Sequence, residues 1–483
     1  MSRPASTLSG GTLDKSDDEG RSLALEVRPF LFLVLECSRP LAGGARWDLT
    51  HVDEIVIGRG HARESRLSTE GGRKQLFITV PDRLVSSKHA RIERHGGHWS
   101  FADLASRNGS SVEGIAAREQ ELPDRALLEI GGSFFSFHAA LPAPKASGGD
   151  HASDPARAER GEETLLPGHG AALANLDHIA RSSLPVLVLG ESGTGKELMA
   201  RAVHEASGRA GTFVAVNCGA LAPSLIEGQL FGHARGAFSG ALRDEPGLVR
   251  ASHGGTLFLD EIGELPPAAQ STLLRVLQEH EVLPIGATKP IRVDLRVVAA
   301  THQRIDQLPA SVFRHDLYAR LAGFTLRLPP LRARREDMGV FVSVLLRQLA
   351  EGGAEGVTFT PAAARALFAH AWPLNLRELA QALRVALLLS RGEPIDLGHL
   401  PEPLRELGSS SRPPAPVPAK SRPSLPAQPL RAVGSEELLK QSLIEQLARS
   451  AGNVSEVARA MGRTRMQIHR WMKRFGIDPE SFR

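Results

Sequence analysis

The sequence predicts a multidomain protein in which an all-β sandwich, an α/β domain with a parallel sheet and a small α-helical domain follow one another. Short apolar segments alternate with glycine-containing turns from Arg28 to about His138, a pattern typical of a sandwich. Strands alternate with helical stretches from about Leu165 to Leu400, which indicates a parallel sheet covered by helices. After Gly434 only short helices separated by glycines are predicted. The length of 483 residues is consistent with about three domains.

Polar and proline-rich segments mark where these domains meet. Residues 1–27 are rich in serine, glycine and aspartate and are predicted to be disordered. Seven prolines lie between Pro413 and Pro429, so the linker that contains them should be extended. We expect the two linkers to separate the activities of the domains. The predicted order after residue 27 is sandwich 28–140, linker 141–164, α/β domain 165–403, linker 404–433 and helical domain 434–483.

Composition and charge exclude several classes of protein. The 58 lysines and arginines nearly balance the 54 acidic residues, so any nucleic-acid surface must be local. A single tyrosine and 5% aromatic residues argue against a stacking platform for single strands. The two cysteines fit no metal-binding spacing and indicate a reducing cytoplasm. The N-terminus is unlike a signal peptide, and no apolar run approaches the ~20 residues that span a bilayer.

A phosphate-binding loop is predicted where GESGTGKE follows the strand PVLVL and begins a helix. Its glycines allow backbone N–H groups to surround phosphates at the helix N-terminus. We expect Lys196 to bind the β and γ phosphates of ATP. The next position usually holds a serine or threonine that binds Mg²⁺, but here it is Glu197. The predicted nucleotide-binding residues are Gly190, Glu191, Ser192, Gly193, Thr194, Gly195, Lys196 and Glu197.

Two carboxylates follow the apolar strand TLFL, at the edge of a parallel sheet where ligands bind. We assign Asp260 to Mg²⁺ and Glu261 to orienting or deprotonating the water that attacks ATP. The alternative is a solvated acidic turn. A phosphate loop in the same core favours the catalytic interpretation.

A loop of small residues with one central aromatic lies between these two motifs. Glycines at both ends give the backbone access to positive φ angles. Phe238 is an apolar tip that soluble proteins seldom expose without a partner. The sequence therefore predicts a moving contact surface, with an unrelated surface loop as the alternative. The loop consists of Gly236, Ala237, Phe238, Ser239, Gly240 and Ala241.

The order of phosphate loop, GAFSGA and LFLDE resembles the AAA+ ATPase domain of the enhancer-binding activators of sigma-54 RNA polymerase. In that family a GAFTGA loop touches sigma-54; Ser239 keeps the hydroxyl of the threonine and lacks its methyl. Family members commonly carry GESGTGKE, so Glu197 supports the resemblance. The resemblance implies a P-loop ATPase with a helical lid that works as a homo-oligomeric ring, expected to be a hexamer.

Three further motifs carry the resemblance and its departures. FRHDLYARL is similar to FRxDLYYRL, which implies that Arg314, Arg320 or both reach ATP on a neighbouring subunit; surface ion pairs are the alternative. WPLNLREL is similar to WPGNVREL, which implies that Arg377 senses nucleotide from the lid. Asn217, in FVAVNC, matches the residue that holds the catalytic glutamate, or is a turn residue at a strand end. The positions that depart from the family pattern are His302, Ala319 and Leu374, of which the first lies nearest the γ-phosphate.

The C-terminal segment is predicted to be a helix-turn-helix. Gly452-Asn453 and Gly462 separate short helices, and six lysines and arginines without an acid lie from Arg459 to Arg474. Ile468 and Met472 should pack inward. The segment resembles the Fis-type domain that binds double-stranded enhancer DNA; a solvated basic helix and a dimerisation helix pair are the alternatives. The predicted DNA-binding residues are Thr464, Arg465, Gln467, His469, Arg470 and Lys473.

The sandwich carries motifs of another family. Gly58-Arg59, SSKHA and DLASRNG resemble a forkhead-associated (FHA) domain, which reads phosphothreonine peptides from loops at one end. The resemblance implies that Arg59 binds the phosphate, Ser86 adds a donor, Arg107 stands at a position usually held by threonine and Asn108 holds the peptide backbone. HARESRLSTEGGRKQ should lengthen one loop beside this site. A sandwich whose site has lapsed is the alternative.

Together these motifs indicate a cytoplasmic transcriptional activator. We expect it to bind enhancer DNA, hydrolyse ATP, remodel sigma-54 RNA polymerase and respond to a phosphothreonine protein or Ser/Thr kinase, in a two-component-like manner. The alternative is a DNA-bound scaffold or repressor that reads phosphopeptides and whose ATPase is vestigial.

Overall fold

The computed structural model describes residues 25–145, 149–220, 222, 225–238, 241–350 and 353–410, and scattered residues between 443 and 477. The chain forms two compact units that divide between Pro416 and Val417. None of the helices in these described ranges is long and apolar enough to cross a membrane.

The first unit begins with two facing β-sheets, which confirms the predicted all-β sandwich. Neighbouring strands are antiparallel except for one parallel pair, β3 and β5. The seven strands of the first sheet, in spatial order, are β13 (His151–Ala152), β2 (Ala45–Asp48), β1 (Leu25–Glu36), β12 (Ser133–Pro144), β11 (Ala126–Ile130), β8 (Ser110–Val112) and β9 (Ile115–Ala117). The six strands of the second sheet are β10 (Glu119–Glu121), β7 (His98–Asp103), β6 (Ala90–His95), β3 (Glu54–Arg59), β5 (Arg73–Val80) and β4 (Glu64–Glu70).

Alternating side chains of β1 and β12 build the core between the two sheets. Leu31, Leu33 and Phe135 point inward and pack against residues such as Ile57 and Phe101 of the second sheet. Because successive side chains of a strand point to opposite faces, the intervening residues of β1 and β12 lie on the outside of the sandwich.

The stretch predicted to lengthen a loop forms a β-hairpin instead. β4 pairs with β5 in antiparallel register from Glu64 opposite Thr79 to Glu70 opposite Arg73. The two glycines between these strands adopt positive φ angles, which a tight turn requires. The insertion therefore adds an edge strand to the second sheet.

The α/β domain is built on a five-stranded, all-parallel sheet, as predicted. Its strands, in spatial order, are β15 (Phe213–Asn217), β16 (Thr256–Asp260), β19 (Arg296–Thr301), β14 (Val186–Leu189) and β20 (Phe324–Arg327). The helices around it are α2 (Pro167–Ala180), α3 (Lys196–Ser207), α4 (Ile226–Phe231), α5 (Gly247–Ala251), α6 (Pro267–Glu279) and α7 (His315–Leu321). A small hairpin, β17 (Glu281–Val282) and β18 (Ile291–Arg292), projects from this domain.

A helical lid follows the sheet. It consists of α8 (Met338–Leu349), α9 (Pro361–Ala369), α10 (Asn375–Ser390) and α11 (Glu402–Ser410). Short 3-10 turns lie at Pro40–Ala42, Ile262–Glu264, Leu331–Ala333, Arg335–Asp337 and Leu397–His399. Residues 404–410, predicted to open the proline-rich linker, continue helix α11.

The sandwich packs directly on the lid. The outward side chains of β1 and β12 that join lid residues in one buried cluster are Phe30, Phe32, Val34 and Phe134. Phe134 stacks on Phe368 of α9, with ring centroids 5.2 Å apart. His138 Nε2 lies 2.6 Å from Glu336 Oε1 in a buried contact at the start of the lid. The sandwich and the ATPase-like domain therefore share an apolar interface with a polar pair inside it.

Residues 141–164 do not form the free linker that their composition predicts. They include β13 and α1 (Pro155–Glu159), and their end is held to both domains. Thr164 Oγ1 and Leu165 N each donate to the buried carboxylate of Asp337, at 2.7 Å. Arg46 of the sandwich donates to the Leu165 carbonyl at 2.8 Å. Polar side chains in this stretch therefore make specific hydrogen bonds, which composition alone does not distinguish from solvation.

The second unit contains one described helix, α12 (Val454–Ala460). Ile468 and Met472 are buried in a small cluster with Leu443, Leu447 and Val457, as their spacing predicts.

Candidate functional site

The phosphate loop lies between β14 and α3, where the sequence places it. Lys196 Nζ lies 3.1 Å from the Gly190 carbonyl oxygen and 3.3 Å from Glu261 Oε1, and its side chain is 7% exposed. Gly193 has a φ of +76°, and a Cβ there would lie 2.2 Å from the Leu374 carbonyl oxygen. Only glycine fits this position, because the lid backbone approaches the loop so closely.

The acidic pair ends β16, beside the phosphate loop. Glu261 has a positive φ of 50°, unusual for a residue with a side chain, and this turns its carboxylate back toward the sheet edge. Its Oε2 lies 2.7 Å from His302 Nδ1 and its Oε1 is the oxygen that pairs with Lys196. Burial opposes ionisation of Glu261, but the hydrogen bond with His302 and the charge of Lys196 outweigh burial and lower its pKa.

Asp260 is in a different electrostatic environment. Burial raises the pKa of its carboxyl, and the charge of the adjacent Glu261 raises it further. Its Oδ1 accepts a hydrogen bond from the Glu261 backbone at 3.1 Å. The side chain of Glu197, at the start of α3, pairs with Arg201 at 2.7 Å. The carboxylate of Asp260 therefore offers oxygen atoms at the strand end, the type of ligand that Mg²⁺ prefers.

Asn217 does not contact Glu261 in this structure. Its Nδ2 lies 3.5 Å from Asp260 Oδ2, and its Oδ1 accepts hydrogen bonds from the backbones of Gly219 and Ala220, each at 3.0 Å. It therefore serves as a turn residue at the end of β15, and His302 is the side chain that reaches Glu261.

The lid contacts the phosphate loop through the start of α10. Asn375 Nδ2 donates to the Ser192 carbonyl at 3.0 Å, and the Leu376 backbone donates to Gly193 at 2.9 Å. Arg377 Nη1 lies 3.4 Å from Ser192 Oγ, so the predicted sensor arginine is at the loop.

Sequence reasoning missed Asn375 and Arg332 as residues of this site. Arg332 Nη1 lies 2.8 Å from Glu191 Oε2, which also accepts from Asn375 at 3.2 Å. Asn375 stands inside the WPLNLREL motif, two residues from Arg377, so the motif itself was the available signal. Arg332 has no comparable signal, because its role depends on the path of the chain after β20.

The two proposed finger arginines are engaged within the chain. Arg314 pairs with Asp316, with Nη2 2.7 Å from Oδ2, and also lies 3.3 Å from Ser271 Oγ. Arg320 Nη2 donates to the Leu277 carbonyl at 3.2 Å. Neither side chain forms a hydrogen bond or ion pair with the phosphate loop within the described part of the chain. Arg314 forms the surface ion pair that the sequence left as an alternative.

Residues 236–238 of the GAFSGA segment lie next to the β17–β18 hairpin. The Gly236 backbone donates to the Ala241 carbonyl at 2.9 Å, which closes the base of the loop. Phe238 is 47% exposed and its ring lies 4.9 Å from that of His233. A Cβ at Gly286 would come within 2.8 Å of Ala237, so the hairpin packs closely on the loop. Ser239 and Gly240 lie outside the described residues.

The three loops that carry the sandwich motifs converge at one end. The Arg59 backbone donates to the Ser86 carbonyl at 2.9 Å, and the Arg107 backbone lies 3.2 Å from Ser86 Oγ. Asn108 Nδ2 donates to the Leu84 carbonyl at 2.7 Å. Buried His89 braces the arrangement, since its Nδ1 accepts a hydrogen bond from the Ser86 backbone at 3.0 Å.

This end of the sandwich carries cations without carboxylate partners. Arg59, Lys88 and Arg107 are exposed, and none of the three forms an ion pair with another described residue. The loops that hold them are fixed by hydrogen bonds, so the positive charge is preorganised for an anion. The predicted DNA-binding residues Thr464, Arg465, Gln467, His469, Arg470 and Lys473 lie outside the described residues.

Three protein-family models match the chain. Residues 53–131 match the FHA domain, residues 167–327 match the sigma-54 interaction domain, and residues 332–416 match the AAA+ ATPase lid domain. The first range lies within the sandwich, from β3 to β11, the second spans the parallel-sheet domain, and the third contains the helices of the lid.

Curated relatives are transcriptional regulators. The chain is 46% identical over 322 residues to the acetoin catabolism regulatory protein of Cupriavidus necator, covering 65% of this chain and 47% of that protein. It is 38% identical over 337 residues to the transcriptional regulatory protein GlrR of Escherichia coli K12, covering 68% and 72%. It is 38% identical over 366 residues to the transcriptional regulatory protein ZraR of Salmonella typhimurium, covering 70% and 80%. The chain thus spans about half the length of the first of these relatives.

Proposed function

Because the chain belongs to the family of transcriptional regulators with a sigma-54 interaction domain, we propose that it activates sigma-54 RNA polymerase by hydrolysing ATP. The observation that carries this proposal is the cluster of Lys196, Glu261 and His302 at one edge of the parallel sheet. A phosphate-binding cation, a carboxylate base and a group that orients that base are the parts that ATP hydrolysis needs.

The residues of the cluster have separate roles in this mechanism. Lys196 exchanges its contact with Glu261 for the β and γ phosphates of ATP, because phosphate oxygens offer more negative charge than one carboxylate. Glu261 keeps its hydrogen bond with His302, which lowers the pKa of its carboxyl, and orients or deprotonates the attacking water. His302 fixes the direction in which that carboxylate points.

Magnesium fits the site through Asp260. The half-buried carboxylate of Asp260 stands at the strand end beside the phosphate loop, and Mg²⁺ commonly binds through one or two carboxylates plus substrate phosphates. When bound, the ion neutralises phosphate charge. Glu197 pairs with Arg201 and offers no hydroxyl, so Asp260 and water carry the coordination.

The remaining parts of the proposal are an assembly and three partners. Arg314 and Arg320 act on ATP in the neighbouring subunit of a homo-oligomeric ring, proposed to be a hexamer. In support, neither arginine contacts the phosphate loop of its own chain among the described residues. The exposed Phe238 at the loop tip supports contact with sigma-54. Residues 434–483 bind double-stranded enhancer DNA in the cytoplasm.

The sandwich supplies the regulatory input by binding a phosphothreonine protein. The unpaired Arg59 and Arg107 beside Ser86 support this role, since charge-assisted bonds to phosphate need free donors. The proposed domains follow the predicted ranges 28–140, 165–403 and 434–483, with small extensions. The strands of the sandwich begin at Leu25 and run to Pro144, α11 continues to Ser410, and residues up to 164 join the first two domains.

Open-complex formation on a sigma-54 promoter tests the proposal. Purified native protein should support it with ATP, whereas Lys196→Ala should lose both ATP turnover and open complexes. Lys145→Ala, an exposed lysine on the sandwich, is the matched control and should behave as the native protein. Ser239→Ala should keep ATP turnover and lose open complexes. A native protein that neither turns over ATP nor supports open complexes would favour the scaffold or repressor alternative, in which the ATPase is vestigial.

A further inference from the structure

A cleft of about 480 Å³ separates the phosphate-reading end of the sandwich from the lid. One wall is the segment 81–84 between β5 and β6, together with residues just after β1. The other wall is the lid segment 358–361, which begins α9, and Pro394. The cleft therefore has one wall from each domain.

Hydrogen bonds connect the proposed phosphate site to this cleft without a break. Asn108 holds the Leu84 carbonyl at 2.7 Å, and the Leu84 backbone donates to Asp82 Oδ1 at 2.8 Å. The same carboxylate accepts from the backbone between β11 and β12 at 2.7 Å. On the far side of the cleft the Phe359 backbone donates to the Cys37 carbonyl at 2.8 Å. A peptide that touches Asn108 is therefore one residue from the cleft wall.

The walls are apolar and positively charged. Leu84 is 42% exposed and faces the cleft together with Pro361 and Pro394. Arg39 and Arg83 are exposed, and neither has an ion-pair partner in the part of the chain that the structure describes. The carboxylate of Asp82 at the floor is buried and already accepts hydrogen bonds from the surrounding loops, so it is not available to pair with either arginine.

We propose that this cleft binds the acidic residues that flank the phosphothreonine of the regulatory partner, so that one peptide contacts both the sandwich and the ATPase lid. The charge of Arg39 and Arg83 selects carboxylates, and the leucine and prolines accept an extended chain between them. The inference rests on the proposed phosphothreonine reading and adds the lid as a second binding wall.

Peptide binding to the full-length protein tests the lid wall. The probes are two fluorescein-labelled phosphothreonine peptides that differ only in carrying aspartates or asparagines around the phosphothreonine, measured by fluorescence anisotropy. Pro394→Glu and Pro394→Lys place opposite charges on the lid side of the cleft, at an exposed position. Leu388→Glu is the matched control, since this residue is 73% exposed on α10 and does not line the cleft.

The lid charge should act only on the acidic peptide. We expect Pro394→Glu to weaken its binding about fivefold and Pro394→Lys to strengthen it several-fold. The interaction between two partly exposed charges at close range is roughly 1 kcal/mol, and 1.4 kcal/mol corresponds to a tenfold change in Kd. The asparagine peptide should bind all variants alike, and Leu388→Glu should match the native protein.

Two results overturn the inference and separate it from the proposed function. If both Pro394 variants bind the acidic peptide as the native protein does, while Arg59→Ala abolishes binding, the lid is no part of the site and phosphothreonine reading stands. If the native protein binds neither peptide, the regulatory half of the proposed function fails and the inference fails with it. Thermal unfolding of each variant verifies that the fold is kept.

Discussion

Phe134 offers the sharpest test of whether the sandwich and the lid form one body. Its side chain is 1% exposed although it points to the outside of the sandwich, because it stacks on Phe368 of the lid. In a sandwich that stood free at the end of a linker, the same side chain would face water. Phe134→Ala therefore gives different results in the two cases.

The size of the effect follows from the burial. Truncating a buried phenylalanine to alanine costs about 3–5 kcal/mol, whereas an exposed substitution usually changes stability by less than about 0.5 kcal/mol. The stacked pair adds about 0.5–1.5 kcal/mol that is lost by either substitution. We therefore expect Phe134→Ala to cost about 3 kcal/mol or more. The double variant with Phe368→Ala should cost less than the sum of the two single variants by about 1 kcal/mol.

Denaturant unfolding and hydrogen exchange measure the two consequences separately. Buried Trp99 reports on the sandwich and buried Trp372 on the lid, so tryptophan fluorescence follows both domains. Hydrogen exchange read by mass spectrometry should show Phe134→Ala exposing amides in α9 as well as in β12. Leu67→Ala, on the exposed edge strand β4, is the control and should leave both measurements unchanged.

The reasoning is refuted if Phe134→Ala unfolds like the native protein and exchange in α9 does not change. It is also refuted if the stability losses of Phe134→Ala and Phe368→Ala are strictly additive, because the stacking energy of the two rings can be lost only once.

Three further predictions concern the ATP site and the pH dependence of stability. Glu261→Gln should keep ATP binding and stop hydrolysis, whereas Lys196→Ala should lose binding; equal loss of nucleotide affinity in binding titrations would contradict these separate roles. His302→Ala should lower kcat about tenfold with little change in the KM for ATP, since Glu261 loses the contact that directs it; an unchanged kcat would show that this contact is incidental. Burial, and then the charge of a nearby arginine, lower the pKa of His169 from 6.5 to about 4. At this site the folded state then binds fewer protons than the unfolded chain, so the contribution of His169 to stability should fall as the pH decreases from about 6.5 to about 4. Denaturation at several pH values should therefore show that acid lowers the stability of His169→Gln less than that of the native protein.

The sandwich and the parallel-sheet domain were predictable from the sequence because each has a strong local signal. Glycine-separated apolar segments predicted the sandwich, and alternation of strands and helices predicted the parallel sheet. The interface between the sandwich and the lid was not predicted, although the sequence of β1 contained a signal for it. Residues 30–35 of β1 are all apolar, whereas a strand with one solvated face should alternate. The continuous run of apolar residues indicates that both faces of β1 are buried, and the lid covers the outer face.

The candidate ATP site divides in the same way. The phosphate loop and the acidic pair were predicted because each follows its own strand and both strands end at one edge. The hydrogen-bond partner of Glu261 was not predicted, because it depends on which side chain reaches across from a neighbouring strand end. Resemblance favoured Asn217, yet His302 at the end of β19 makes the contact. Local motifs place residues on a sheet edge, but they do not determine which neighbouring side chains meet there.

The contact between sandwich and lid changes the expected effect of the regulatory input. If a free linker separated the domains, Arg59→Ala would leave basal ATP turnover unchanged. The result should still hold, but for another reason: Arg59 is exposed, and no contact of its side chain with the lid is found among the described residues.

Binding of a phosphopeptide should affect the ATP site, unlike the loss of the Arg59 side chain. The loop that receives the peptide is connected by hydrogen bonds to the lid segment before α9, and the next lid helix, α10, contacts the phosphate loop through Asn375. Binding free energies at coupled sites are reciprocal. An acidic phosphothreonine peptide should therefore shift the affinity for a non-hydrolysable ATP analogue, and the analogue should shift the affinity for the peptide by the same factor. Calorimetric titrations in both orders measure the two factors. Equal affinities with and without the other ligand would mean that the peptide site and the ATP site are not thermodynamically coupled, although the sandwich and the lid are in contact.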